Sequence, residues 1–250
     1  MNKEEQMLQK RLLELSSIAY QRDIVTFSDF LNLNELHILQ SIPKNELSTR
    51  YDLFGGYEYA ERQMVAFLPD ALCYEYEYPI DVLRVSAVHR KYAESLTHRD
   101  YLGALLNLGI ERSKIGDLAV TDDSCLIFCH ADMSDFVCRE FTRVRHTLIS
   151  VEKMQLSEFH YMPERAEIKG NVSSIRLDSV LSSAFPMSRS KLVGYIEGGK
   201  VFVNGKMITS NGYRLKENDI ISVRGMGRIQ YDSVISETKK GRYFIRLYKY

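Results

Sequence analysis

Arg176-Leu177-Asp178-Ser179-Val180-Leu181 opens the stretch, ending at Arg228, whose reading decides the fold. Leu177, Val180 and Leu181 stand at i, i+3 and i+4, the spacing of one buried helical face. Phe185-Pro186 ends that helix, because proline offers no N–H and crowds the preceding turn. Ser188 is the N-cap residue of a second short helix, which carries Leu192, Val193 and Ile196 and closes at Gly198-Gly199. Val201-Phe202-Val203 and Lys206-Met207-Ile208 are β-prone runs joined by Asn204-Gly205, the pair that best tolerates the positive φ angles of a type I′ turn, so they predict a hairpin. Leu215 then leads through the turn Lys216-Glu217-Asn218-Asp219 to a strand from Ile220 to Val223, followed by a basic glycine loop, Arg224-Gly225-Met226-Gly227-Arg228.

The first turn of the second helix carries the wrong charge for local stability. The positive end of a helix dipole favours acids, and a capping box would place Glu or Gln three residues after Ser188. Arg189 and Lys191 stand there instead, each costing about 0.3 to 1 kcal/mol when no anion is present. Free backbone N–H groups and two cations make a phosphate cradle. Over Arg176-Leu177-Asp178, Ser188-Arg189-Ser190-Lys191, Ile196, Gly199-Lys200-Val201, Val203-Asn204-Gly205, Asp219-Ile220-Ile221 and Val223, the last third of the chain resembles the S4-type RNA-binding domain, or αL motif. The resemblance implies a basic face of two helices and a hairpin loop presented to structured RNA. The residues it implicates are Arg176, Arg189, Lys191, Lys200, Lys206, Arg224 and Arg228, with Ser188 and Asn204 as hydrogen-bonding members.

The distribution of charge supports the same partner. The 250 residues are formally neutral, but residues 160–250 hold 16 Lys and Arg against 8 Asp and Glu, leaving 17 against 25 in residues 1–159. A basic tail on an acidic front points to a polyanion. The composition, 45% hydrophobic and 26% charged, is that of an ordinary soluble globular protein. No apolar run approaches a membrane span and the first residues have no signal-peptide core, so the expectation is a cytoplasmic protein without membrane contact. Cys73, Cys125, Cys129 and Cys138 form no C-x-x-C pair and have no histidine at finger-like spacing, which reads as reduced thiols rather than a metal site.

In the front half, Leu8, Leu12, Leu15 and Ala19 mark an amphipathic helix. Asn32 with Glu35 is a capping box for a second, which buries Leu36, Leu39 and Ile42 before Pro43. Phe54-Gly55-Gly56-Tyr57 is a glycine turn, and Met64-Val65-Ala66-Phe67-Leu68 a strand. Tyr74, Tyr76 and Tyr78 alternate with Glu75 and Glu77, the period of a strand with one aromatic face, read as core or interface because the carboxylates repel phosphate. From Ile80 the order is strand (82–88), helix (99–108), strands (116–120 and 125–130), helix (132–142) and strand (148–154). That is an α+β order compatible with a ferredoxin-like, RRM-like sheet lacking the RRM aromatic signature. Arg112 and Lys114 lie in a basic loop and are a secondary candidate for RNA contact.

The run 99–117, with Phe54-Gly55-Gly56-Tyr57, Ala60-Glu61-Arg62 and Phe67-Leu68-Pro69-Asp70, is similar to the YlmH family of bacterial S4-domain proteins over nearly the whole chain; Asn107-Leu108-Gly109 departs from an expected Gly-Leu-Gly. The resemblance implies a ribosome-associated RNA-binding protein, with some members implicated in rescue of stalled large subunits and others named for a cell-division locus. The residues read as an α+β fold of two small α/β sandwich-like domains, 1–79 and 80–160, the second RRM-like, then a linker, 161–173, with Pro163 and mixed charges, and an S4-type domain, 174–250, to which the alternating run 242–250 adds a C-terminal strand.

Catalysis finds little support in the residues. His98-Arg99-Asp100 lacks every other element of a kinase, and no glycine-rich phosphate loop supplies a nucleotide cofactor with a cradle. Arg176-Leu177-Asp178 echoes the catalytic triplet of pseudouridine synthases, but in those enzymes a catalytic domain follows the S4-type domain, whereas about 20 residues follow it here; Asp178 is read as serving the first turn of its helix. The expectation is a non-catalytic protein without cofactor or metal, bound to rRNA or ribosome-bound tRNA on the large subunit, with a protein partner for the acidic half. An RNA-modifying enzyme with an N-terminal site and a cell-division scaffold are the other two classes.

Overall fold

The computed structural model describes residues 3–70, 74–121, 123–156, 165–238 and 241–250. The chain divides into two compact units, Met1–Tyr161 and Met162–Tyr250.

In the first unit, α1 (Lys3–Arg22) buries Leu12, Leu15 and Ala19, and β1 (Thr26–Phe27) follows. The helix α2 (Leu33–Ser41) starts at the capping box: the Asn32 side chain accepts from the N–H groups of Asn34 and Glu35, and the Glu35 carboxylate accepts from Asn32 N–H at 2.6 Å. Two strands, β2 (Arg50–Phe54) and β3 (Met64–Leu68), complete a sheet of order β1-β3-β2. The next elements are β4 (Ile80–Ala87), α3 (His98–Asn107), β5 (Ile115–Val120), β6 (Ser124–His130), α4 (Ala131–Glu140), β7 (Arg143–Val144) and β8 (Thr147–Met154). Their strands form an antiparallel sheet of order β5-β6-β4-β8-β7. Leaving aside the short β7, this is the order of a ferredoxin-like sheet with its first strand inside. Leu83, Val85, Cys125, Ile127 and Cys129 face α3 and α4 across one core. On the other side of the sheet Val82 and Phe128 join Met64 of β3 and Phe30 of the segment after β1 in a second core. Both sheets share this apolar packing within one unit.

Tyr74, Tyr76 and Tyr78 do not form a strand. Their alternation serves aromatic packing instead, Tyr76 and Tyr78 against Phe27 at 6.3 and 5.4 Å and Tyr78 against Phe54 at 5.3 Å between ring centres. Cys125 and Cys129 are fully buried, and burial pushes both thiols up to about 12. An alkylating reagent at pH 8 should modify half-buried Cys138 on the folded protein before either of them, since the thiolate is the nucleophile. Mass-spectrometric mapping showing Cys125 labelled as fast as Cys138 would contradict this packing. Cys73 lies outside the described residues.

The second unit opens with a strand, β9 (Ala166–Val172), inside the stretch read as a linker. Two helices follow, α5 (Leu177–Ala184) and α6 (Arg189–Glu197), then β10 (Val201–Val203), β11 (Lys206–Met207), β12 (Ile220–Val223), β13 (Gly227–Glu237) and β14 (Tyr243–Lys249). They form a six-stranded sheet of order β11-β10-β12-β13-β14-β9. Its core takes Leu177, Val180 and Leu181 from α5, Leu192 and Ile196 from α6, and one side of the sheet: Val201, Val203, Ile221, Val223, Ile229, Tyr231, Ile245 and Leu247. Asn204 and Gly205 adopt φ angles of 49° and 78°, as the I′ turn requires.

Candidate nucleic-acid interface

The loop after β11 brings the helix ends together. Main-chain carbonyls of Asn211 and Tyr213 accept from the N–H groups of Asp178 and Leu177 at the start of α5. Asn211 also donates to the Glu197 carboxylate at the end of α6, 2.8 Å away. Arg176, in a bridge with Arg214, lies beside Gly212 of the same loop. The hairpin reaches the same region, with Met207 against Gly199, and the N–H of Arg224 donates to the Lys200 carbonyl at 2.9 Å, so these two cations are neighbours. Lys191, Lys200, Lys206 and Arg224 are all exposed. Lys200 also lies over the Tyr195 ring at 5.0 Å, which fixes its stem on α6.

The other five residues implicated by the sequence have partners within the fold. Asp178 is not a mere helix-start acid: its side chain, 5% exposed, takes Arg189 Nη2 at 2.6 Å and Arg176 Nε at 3.3 Å. Arg189 also reaches the Ser179 hydroxyl at 3.1 Å. Two guanidiniums on one carboxylate leave one net positive charge, with both arginines about half exposed. Ser188 stands at the N-cap with extended backbone but makes no side-chain cap bond; its hydroxyl meets that of Ser190 at 3.3 Å. The Asn204 amide ties the hairpin to β12, donating to Asp219 and accepting from Ile220 N–H, both at 2.9 Å. Arg228 belongs elsewhere: it pairs with Ser222, and both alternate with core residues, so it lies on the side of the sheet away from the helices.

A model of the S4 domain matches residues 175–221, and one described as a putative RNA-binding domain in YlmH matches residues 74–158. A ribosome-associated protein quality control protein P2 of Bacillus subtilis (strain 168) is 31% identical over 246 residues, 96% of this chain and 93% of that one. The chain belongs to the YlmH family. A cell division protein ylmH from Streptococcus pneumoniae shares the fold with a TM-score of 0.51 at 20% identity, over 63% of this chain and 95% of the other.

The residues that carry the YlmH resemblance in the front half meet at one place. Asp117 accepts from the Tyr57 hydroxyl at 2.9 Å and from the N–H groups of Glu61 and Arg62 at 2.7 and 3.1 Å. Arg62 donates to the carbonyls of Ile115, Phe30 and Arg112, and Arg112 to those of Ile115 and Gly116. Burial lifts the Asp117 carboxyl above its ordinary value, against the pull of Tyr57, the Arg62 N–H and the two guanidiniums. Burial, then the neighbouring Arg62, pushes Arg112 down to about 10. Gly56, at φ 100°, has the Phe128 ring where a Cβ would be, 2.4 Å away, and that ring stacks on Tyr57. The cluster ties the glycine turn to β5. The loop read as basic is thus turned inward: Arg112 is spent on carbonyls and Lys114 pairs with Asp29 at 2.7 Å.

Among the described residues no helix is long and apolar enough to cross a membrane.

Proposed function

We propose that this chain is a non-catalytic, cytoplasmic RNA-binding protein that grips rRNA or ribosome-bound tRNA on the large subunit and serves in rescue of stalled subunits. The observation that carries the reading is the exposed set Lys191, Lys200 and Lys206, on elements matched by the S4 domain, with Arg224 beside Lys200 just beyond the matched residues. The name of the Bacillus subtilis relative supports the ribosomal setting. Cations of this kind contact phosphates and position the protein, while structured RNA is read by shape. The polar cluster at Asp117 has perturbed groups, but its arginines point at main-chain carbonyls, which favours architecture over catalysis.

The test is filter binding of an rRNA stem-loop and of purified large subunits over a salt series. Each lost phosphate contact removes about 0.7 to 0.9 from the log–log slope, so Lys191→Ala/Lys200→Ala/Arg224→Ala should flatten it by about 2.1 to 2.7. An unchanged slope in the triple variant would overturn the reading. If a protein held by the acidic unit were the main partner, co-purification with ribosomes would survive nuclease treatment.

A further inference from the structure

The sheet of the second unit has a side that the helices leave uncovered, and its chemistry differs from theirs. On β14, Ile245 and Leu247 are fully buried in the core, so Phe244, Arg246 and Tyr248 point the other way, and all three are partly exposed. Arg246 pairs with Lys169 on β9. Toward the other edge Phe202 of β10, between buried Val201 and Val203, pairs with Ser222, and Ser222 with Arg228. The Arg228 carbonyl in turn accepts from Tyr250 N–H. On this side of the sheet Phe202 and Arg228 stand on β10 and β13 with Ser222 between them, while Tyr248, Arg246 and Phe244 alternate along β14, Tyr248 opposite Gln230 of β13. Tyr248 already carries a planar cation, the Arg165 guanidinium at 4.9 Å from the ring centre.

From this geometry we infer that the open sheet face around Phe202, Arg228, Tyr248, Arg246, Phe244 and Lys169 is a second RNA site, one that takes an unpaired strand by stacking bases on the rings. The inference rests on the RNA-binding reading above but concerns a different surface and a different form of RNA. Rings stack on any base and cations between them meet the phosphates, which is how single strands are held without sequence readout. Tyr248 and Phe244 are four residues apart on one strand, about 13 Å, so each takes its own base. Among the described residues the face holds two acids, Glu167 and Asp232, 3.4 and 3.9 Å from Arg246, and Glu167 also lies 3.5 Å from Lys169. Arg165, Lys169, Arg228 and Arg246 outnumber them, and this balance favours a polyanion over a basic polypeptide. Arg165 leaves the Tyr248 ring when a base arrives, exchanging one planar group for another.

The experiment measures the fluorescence anisotropy of a labelled 12-nucleotide oligo(U) RNA and of the rRNA stem-loop with the full chain. Leucine keeps the surface covered and the strand intact, so Tyr248→Leu/Phe244→Leu is the informative variant, with its thermal midpoint as the check on folding. Its affinity for oligo(U) should fall at least about tenfold further than its affinity for the stem-loop. Equal losses on the two probes, or none on oligo(U), overturn the inference. Ultraviolet crosslinking of oligo(U) to the wild-type chain should mark the 243–250 peptide; marks confined to 188–210 overturn it without any variant. A wild-type chain that binds the stem-loop but not oligo(U) sinks this site and leaves the first reading standing, whereas binding to neither sinks both.

Discussion

Asp117→Ala is expected to destabilise the first unit by about 2–4 kcal/mol, read as a shift in the denaturant midpoint at constant slope. The carboxylate takes three donors from the glycine-turn segment, the Tyr57 hydroxyl and the N–H groups of Glu61 and Arg62. Alanine leaves all three facing an apolar gap beside two guanidiniums. Asp117→Asn should recover little, because an amide can accept on one side only and would turn its NH2 toward another donor. If the group were there for an external ligand rather than for the fold, the stability loss would be under about 0.5 kcal/mol, as for an ordinary surface site. That outcome would also reopen the question of catalysis at this cluster. RNA binding by the second unit should survive the substitution wherever the chain remains folded, so stability and affinity are measured on the same preparations.

How much of this was legible in the sequence depended on the distance over which each residue finds its partner. The Asn204-Gly205 turn, the Asn32 and Glu35 box and the stop at Phe185-Pro186 are local, and each forms where its residues predict. The strand β9 was hidden in a presumed linker because Ala166–Val172 is ordered by pairing with β14, more than seventy residues on, and its own residues are half charged or polar. The strand β13 was hidden for another reason: register shifts after Tyr231 and Val234 break the two-residue period by which a strand is recognised. Tyr74, Tyr76 and Tyr78 err in the opposite direction, showing the period without the ladder. Basic residues were legible as charge but not as availability. Lys114 finds Asp29, 85 residues away, and Arg112 finds carbonyls, and neither partner leaves a trace in the local sequence.

The same distinction separates Arg189 from Lys191, two cations in one helical turn that the sequence treats alike. Arg189→Ala is expected to cost about 2–3 kcal/mol of stability, because Asp178, 5% exposed, would keep only its longer contacts, to Arg176 at 3.3 Å and the Ser179 hydroxyl at 3.5 Å. Lys191→Ala should change stability by less than about 0.5 kcal/mol, since Lys191 is exposed on the surface of α6. The order reverses in the RNA assay. Lys191→Ala should remove about 0.7 to 0.9 from the salt slope, one phosphate contact, without altering the fold. Arg189→Ala should instead displace Arg176 as the shared carboxylate loses a partner, so its binding loss is larger than one contact explains and is partly recovered when Asp178→Asn is added. Arg189→Lys separates charge from shape: a lysine keeps the formal charge but cannot span the Asp178 carboxylate and the Ser179 hydroxyl with one planar fork. If Arg189→Lys restores both stability and affinity, the fork is not what orders this end of the interface, and the two residues are interchangeable phosphate contacts after all.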